Sequence, residues 1–548
     1  MKTKEIFRFA VFCFTLLFLV VPNAGAGWED MEILEYSFDI GATPRSQWYP
    51  YTEYNPIDNE FMVVWRTSGI LRADCEPDDM YDCTNSFQTI DGQRVSPDAV
   101  LLGDPLQWSP AELGHKQVAR IAYNVFNNEY MLSFIKGSSF GDTDQYIAIV
   151  DNVGNLKSGP SKLYEGEYAF LPMIIFNPTR QEYLIVYNDE NVFNANLNNV
   201  GFILDKMGNI LHGPFPVGNQ EGDFYAPYGA YNPTNDTYFV VWEDFRNVSD
   251  WMYDPADVYG ALLDAEDGSM IAEVTVMDDY FDDNGTPGGP DQRVPVPCYN
   301  PDKNEFLVAW RDDRTTLDDY GIMGMIIGPD GTPKGAEFVI HDPPGMQGTI
   351  EILYLEEEKK YFTVWTDTRD ATDPGEYYFL SDEADIYGRW LDDTGRPVGD
   401  EISICVEPKP QMHPEMAYDP VMKRFLITWY DWNAPNDFGV LEEIEHIGSD
   451  VPADVRGTIY GIPSFLSAQV IEKGTENPIE NALAFVIGPS IPALKKTNVG
   501  GWFNVEENSH LPGIYLVMIF KAGYSVAFQV VNYTGEPLEA TVEMNKLW

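Results

Sequence analysis

At 548 residues the chain is too long for one ordinary compact core, which leaves several domains or a repeat architecture. With 34 Lys+Arg against 87 Asp+Glu, its formal charge of −53 argues against nucleic acid and anionic lipid as partners. An aromatic share of 14 %, with 39 prolines and 45 glycines spread throughout, suits many short strands joined by turns.

The first element reads as a targeting segment. Lys2, Lys4 and Arg8 precede the apolar run Phe9–Val21, and Ala24-Gly25-Ala26 supplies the small residues of a cleavage site. Residues 1–26 are therefore expected to be a signal peptide. No second apolar run of 18 residues follows, so no transmembrane anchor is expected in the mature chain. The predicted location is secreted or cell-surface, extracellular or periplasmic. In such an oxidising compartment Cys75 and Cys83, which bracket EPDDMYD, are expected to form a local disulfide. Cys298 and Cys405 read as small buried apolar residues.

From Tyr54 onward one unit recurs. Its clearest copy is YNPDKNEFLVAWRDDR, Tyr299–Arg314: a strand end, a turn built on Asn and Pro, then an apolar strand. Copies start at Tyr54, Tyr123, Phe176, Tyr231, Tyr299, Tyr354 and Tyr418, each with a second aromatic eleven residues later. A third short strand ending in an Asp/Gly turn follows, as in DIYGRWLDDTG from Asp385, and then a fourth, as in Glu401-ISI. Four strands per unit, seven times over, predict an all-β fold: a seven-bladed β-propeller across residues 27–461, with six and eight as the neighbouring counts. The last copy lacks a fourth strand, and Glu32-ILEYSFDIG has the character to supply it and close the ring.

The tails Trp242-EDFR, Trp310-RDDR and Trp365-TDTR, with the strands at Asp257 and Asp385, resemble a group of secreted propeller proteins carrying VWxDxR and DIYG-type repeats. That group is defined by fold and localisation, so the resemblance implies no chemistry. After Gly461 the pattern changes. Pro478, Ile479, Asn481, Ala482, Thr497, Gly501, Phe503, Leu511, Pro512, Gly513, Tyr515, Gly523 and Tyr524 resemble a carboxypeptidase regulatory-like domain, which implies a transthyretin-like β-sandwich over residues 462–548 acting as spacer or docking module. Leu483, Phe485 and Ile487, and Tyr515, Val517 and Ile519, are each expected to supply one apolar face.

Signals for chemistry are sparse. No nucleophile elbow or phosphate-binding glycine loop is present, and the acidic residues are too many to single out a catalytic pair. The pairs Asp244/Arg246, Asp312/Arg314 and Asp367/Arg369 leave the second strand of three successive units and read as loop pins, or else as a polar ring at the propeller mouth. Gln47, Gln292, Gln347 and Gln411 each stand seven residues before the first aromatic, near the start of the inner strand. They read as amides that satisfy backbone groups, or as a ring that takes a small polar ligand. His413 starts an inner strand and could face the channel. Asp278, Asp279, Asp282 and Asp283 lie in the densest acidic loop and are the calcium candidates, with no other cofactor indicated. The function expected is a secreted, non-enzymatic binding or surface-interaction protein with a glycan or surface-protein partner. The alternative is a carbohydrate-active hydrolase or lyase with carboxylates at the propeller mouth.

Overall fold

A computed structural model describes residues 27–41, 47–67, 88–109, 115–139, 142–164, 169–189, 198–219, 223–247, 255–279, 290–316, 319–342, 344–371, 383–432, 453–488, 493–506, 512–534 and 537–547. The expected signal peptide and the Cys75–Cys83 loop lie outside these residues. Among the described residues no helix is long and apolar enough to cross a membrane. The protein is all-β, with propeller-like four-stranded antiparallel sheets.

Each repeat unit contributes one such sheet, and its hairpin joins the first strand to the second. The first strands run Gln47–Asn55, His115–Asn124, Phe170–Asn177, Phe224–Asn232, Gln292–Asn300, Gln347–Leu355 and Gln411–Asp419. Turn chemistry closes the hairpins. Asn55 Oδ1 accepts from the amides of Ile57 and Asp58 at 2.9 and 3.1 Å, and Asn177, Asn232 and Asp419 accept the equivalent two amides. The last turn residue of every hairpin, from Asn59 to Lys423, is left-handed with φ between 49° and 58°.

Beside each turn a cross-strand ring pair fixes the register. Centroids are 5.4 Å apart for Tyr54–Phe61 and for Tyr299–Phe306, and 4.6 Å for Tyr418–Phe425. At the far end of the second strand, Trp65, Trp242, Trp310, Trp365 and Trp429 are buried and fill the space between consecutive sheets. Trp310 shares one apolar cluster with Phe239, Val241 and Val258 of the preceding sheet. Burying an indole there contributes several kcal/mol, and neither sheet alone could cover it.

The last sheet is ordered Glu32–Asp39, Ala453–Gly461, Arg424–Trp432, Gln411–Asp419, so an N-terminal strand completes it with Glu32 opposite Gly461 and Asp39 opposite Arg456. First strands pack against first strands in sheet order, and Gln47–Asn55 also packs against Gln411–Asp419. A hydroxyl pair, Thr52 with Thr428 at 2.9 Å, crosses that junction.

Beyond Gly461 come two further sheets around one apolar core. One orders Trp502–Glu506, Ser464–Glu472 and Leu538–Met544; the other orders Ala493–Lys496, Leu483–Ile487, Gly513–Phe520 and Ala527–Tyr533. Tyr515, Val517 and Ile519 point into the core as expected. Leu483, Phe485 and Ile487 also share one face, the outer one: their strand sets Ala484 opposite Ile519 and Val486 opposite Val517, so the two small residues face inward. Period-2 alternation then turns the three large residues to the outer face. This pair of sheets abuts the first sheet, where Asn498 Nδ2 and Trp502 Nε1 donate to the carbonyls of Pro56 and Ile57 at 3.1 Å each. A Cβ at Gly500 would lie 2.3 Å from Pro56 O, so only glycine permits this approach. Buried Arg424 joins the two parts by donating to Pro97 O at 2.8 Å and to Ser464 Oγ at 3.0 Å, and by pairing with Asp98.

Deleting residues 27–41 should open the edge of Ala453–Gly461, lower the melting temperature and promote aggregation, with partial rescue by the same segment added as a peptide. An unchanged melting curve would show that the strand contributes nothing to stability.

Candidate functional site

The Trp-x-Asp-x-Arg tails form internal clamps. Trp242, Trp310 and Trp365 donate their indole N–H to Asp244, Asp312 and Asp367 at 2.8, 2.9 and 2.9 Å. Arg246, Arg314 and Arg369 return to the same carboxylates through Nε and Nη2, then reach Glu273, Glu337 and Glu401 at or beside the fourth strand at 3.1, 3.0 and 2.8 Å. Burial raises the Asp367 carboxyl, but hydrogen bonds from His341, Arg369 and Trp365 outweigh it and hold the group below the usual range. All three aspartates are at most 2 % exposed, so this geometry offers them to a neighbouring strand and not to a ligand at the mouth. Two copies whose tails lack that arginine, Trp65-RTSG and Trp429-YDWN, are held otherwise: Asp431 takes the Trp429 N–H at 2.8 Å and pairs with Arg456 of the third strand, and Thr67 takes the Trp65 N–H at 3.0 Å.

The four glutamines do not line an open channel. Gln47, Gln292, Gln347 and Gln411 are fully buried. Gln292 Nε2 donates to Asp279 Oδ1 and Pro290 O, Gln347 Nε2 to Gly345 O, and Gln411 Nε2 to Glu407 O, while Gln47 Oε1 accepts from the Val455 amide. Asp278 and Asp279 are likewise engaged, accepting from Tyr259 Oη at 2.6 Å and Gln292 Nε2 at 2.8 Å; Asp282 and Asp283 lie outside the described residues. Among the described residues, no group of three or more His, Cys, Asp or Glu side chains is placed to hold a metal ion.

The first strands carry a different constellation. Each is bulged, with register shifts such as Trp48/Tyr51, Gln117/Arg120 and Met412/Glu415. In five copies the bulged residue (Tyr49, Leu171, Ala226, Val294, His413) is left-handed at φ 41° to 53° and precedes a proline. Proline lacks the amide that a ladder would need, so it sits where pairing is already interrupted. Past the bulge, the residue three before the aromatic is Tyr51, Arg120, Met173, Tyr228, Val296, Glu351 or Glu415.

Five of these residues form one cluster. The Arg120 guanidinium lies 3.5 Å from the Tyr51 ring centroid and 4.8 Å from that of Tyr228, with Nη1 3.5 Å from Glu415 Oε1. Glu351 repels Glu415 and is attracted by Arg120. Side chains from sheets one, two, four, six and seven meet only where the seven first strands converge, so the cluster marks the axis. Burial opposes ionisation of Glu351 and Glu415 and raises both carboxyls. At the bulge beside it, the His413 ring stands edge-on to Tyr49 at 4.9 Å, and burial, then the Arg120 charge, pushes its pKa down to about 3.

Glu53, one residue before its aromatic, sits where the other copies carry Ala122, Ile175, Ala230, Cys298, Leu353 and Ala417. Burial alone pushes its carboxyl up to about 8. A carboxyl still protonated near neutral pH both donates and accepts. Sequence reasoning overlooked Glu53, Arg120, Glu351 and Glu415 because it followed the charged tails. The available signal was an ionisable residue at repeat positions filled elsewhere by apolar ones.

No family model matches the sequence, and no curated protein matches it. Among solved structures the chain is similar to the Dos1 propeller, at 9% identity and TM-score 0.39 over 79% of this chain and 95% of that one. It is similar also to a thermostable family-43 glycoside hydrolase, at 14% identity and TM-score 0.32 over 56% and 97%. The endo-arabinase from Bacteroides thetaiotaomicron VPI-5482 matches at 13% identity and TM-score 0.33 over 53% and 93%.

The raised Glu53 pKa has a signed consequence. Between the unfolded value near 4.5 and the folded value of about 8 the native state holds the extra proton, so this residue makes stability fall as pH rises through that window. Glu53→Gln should therefore gain on the wild type progressively from about pH 5 to 8, by on the order of 2 kcal/mol once water near the axis is allowed for, then level off. Parallel urea-unfolding curves across that range would instead show a carboxyl of ordinary pKa.

Proposed function

We propose that residues 27–461 form a closed seven-bladed β-propeller and residues 462–548 a carboxypeptidase regulatory-like β-sandwich. In this reading the protein is a secreted, non-enzymatic binding protein whose axial cluster takes the end of a glycan. The arrangement of Arg120 supports the reading. It lies on two tyrosine rings within ion-pair distance of Glu415, so one cation and a carboxyl group are held together on aromatic faces. Glu53 lies two residues beyond Tyr51 on the same first strand, with no hydrogen-bond or ion-pair partner among the described residues. Hydroxyl-rich ligands suit such a set, because a protonated carboxyl, a guanidinium and a carboxylate can each engage a hydroxyl.

A carbohydrate-active hydrolase or lyase is the second reading, favoured by the raised Glu53 carboxyl, since an acid still protonated at neutral pH is what protonation of a leaving oxygen requires. The acidic loop Asp278–Asp283 enters the proposal as a calcium site.

A glycan array followed by calorimetry on the best hit should show binding without release of reducing ends, and Glu53→Gln or Arg120→Ala should weaken it at least tenfold, about 1.4 kcal/mol. Release of reducing ends would transfer the site to the hydrolase reading, and no bound glycan would sink the ligand assignment. Calcium held at the loop should raise the melting temperature, with EDTA reversing the shift; coincident curves would remove the metal.

A further inference from the structure

The outer face of the four-stranded C-terminal sheet is apolar. Ile514, Phe528 and Val530 are 67, 62 and 63 % exposed, and Leu494, Leu516 and Ile487 add 53, 37 and 39 %. Register makes them one surface: Ile487 pairs with Leu516 and Leu516 with Val530, while Phe485 pairs with Leu494 and with Met518, which pairs with Phe528. The opposite face of the same strands already builds a core with Tyr515, Val517 and Ile519. The strand Gly513–Phe520 is thus apolar on both faces, a pattern that belongs to a sheet covered on both sides. The exposed apolar area is on the order of 700 Å², beyond the largest patch of a typical monomer and close to what one partner contributes to a standard interface.

We propose that a second copy of this chain covers this face, forming a two-fold dimer by sheet-on-sheet packing. Charge separates this occupant from others. Residues 464–548 carry five basic and eight acidic residues, whereas 27–463 carry 26 and 78. Like-charged copies therefore repel everywhere except across the near-neutral C-terminal sheets, and a two-fold axis through the apolar face keeps both strongly acidic parts apart. An apolar sheet face is self-complementary under that operation, because two such faces pack aligned at about 10 Å. Lys496, opposite Leu483, is the one charge among the register partners of this face and Asn532, opposite Ile514, adds one amide, both at its margin.

Sedimentation equilibrium of the full secreted chain should give about twice the mass of one chain, with association strengthened by added salt as acidic repulsion is screened. Val530→Glu and, independently, Ile514→Glu should each return the protein to monomer with unchanged circular dichroism and melting temperature, since both side chains are exposed. A wild-type monomer at about 100 μM would overturn the proposal, as would a dimer that survives both substitutions, whose contact must then lie elsewhere. A wild-type monomer that floats with neutral phosphatidylcholine vesicles, and stops floating on either substitution, would overturn it in favour of a lipid occupant.

Discussion

The cross-strand ring pair beside each hairpin turn sets the register on which the other contacts depend. Once Tyr299 faces Phe306, period-2 alternation fixes which side of both strands meets the preceding sheet and which the next. The buried Trp at the far end of the second strand then falls between sheets, and its indole N–H falls on the Asp two residues on. A one-residue slip would expose the Trp and bury charge, so turn, ring pair and indole clamp specify the same alignment. The bulge in the first strand is fitted around that alignment and redirects the chain toward the axis.

At the axis the balance of forces is reversed. Elsewhere many carboxylates are exposed or, like Asp244, Asp312 and Asp367, clamped by arginine, and over residues 27–463 the acidic residues outnumber the basic ones by 52. Glu53, Glu351 and Glu415 are half-buried instead, and Arg120 is the cation placed to compensate Glu415. Burial without full compensation raises their proton affinity, a cost that a propeller needing only stability would avoid by placing apolar residues at all seven equivalent positions. The neighbouring copies do so with Met173, Val296, Ile175 and Leu353.

Much of the frame was legible because its signals are local. The Asn-capped turns, the aromatic spacing and the Trp-x-Asp clamp each lie within sixteen residues, and all form where their copies are described. The site was less so. The four glutamines share a phase, which drew attention to the channel, yet their amides are spent on nearby loops. Arg456 replaces the missing arginine of the last copy from another strand, so no spacing within the Trp429 tail announces it. Alternation shows that Leu483, Phe485 and Ile487 share one apolar face, but only pairing with Gly513–Phe520 decides that small Ala484 and Val486 turn inward and that this face lies outside.

By itself the sequence determined an all-β repeat of seven hairpins, the strand that completes the last sheet and the change of pattern after Gly461. Those follow from turn chemistry and periodicity, which act between near neighbours. Tertiary structure alone decided that Tyr51, Arg120, Tyr228, Glu351 and Glu415 meet and that burial raises the Glu53 carboxyl. It alone left Ile514, Phe528 and Val530 outside a finished core. The reason is distance along the chain. Which of seven strands places an ionisable side chain beside another depends on closing the ring, and no local preference encodes that contact.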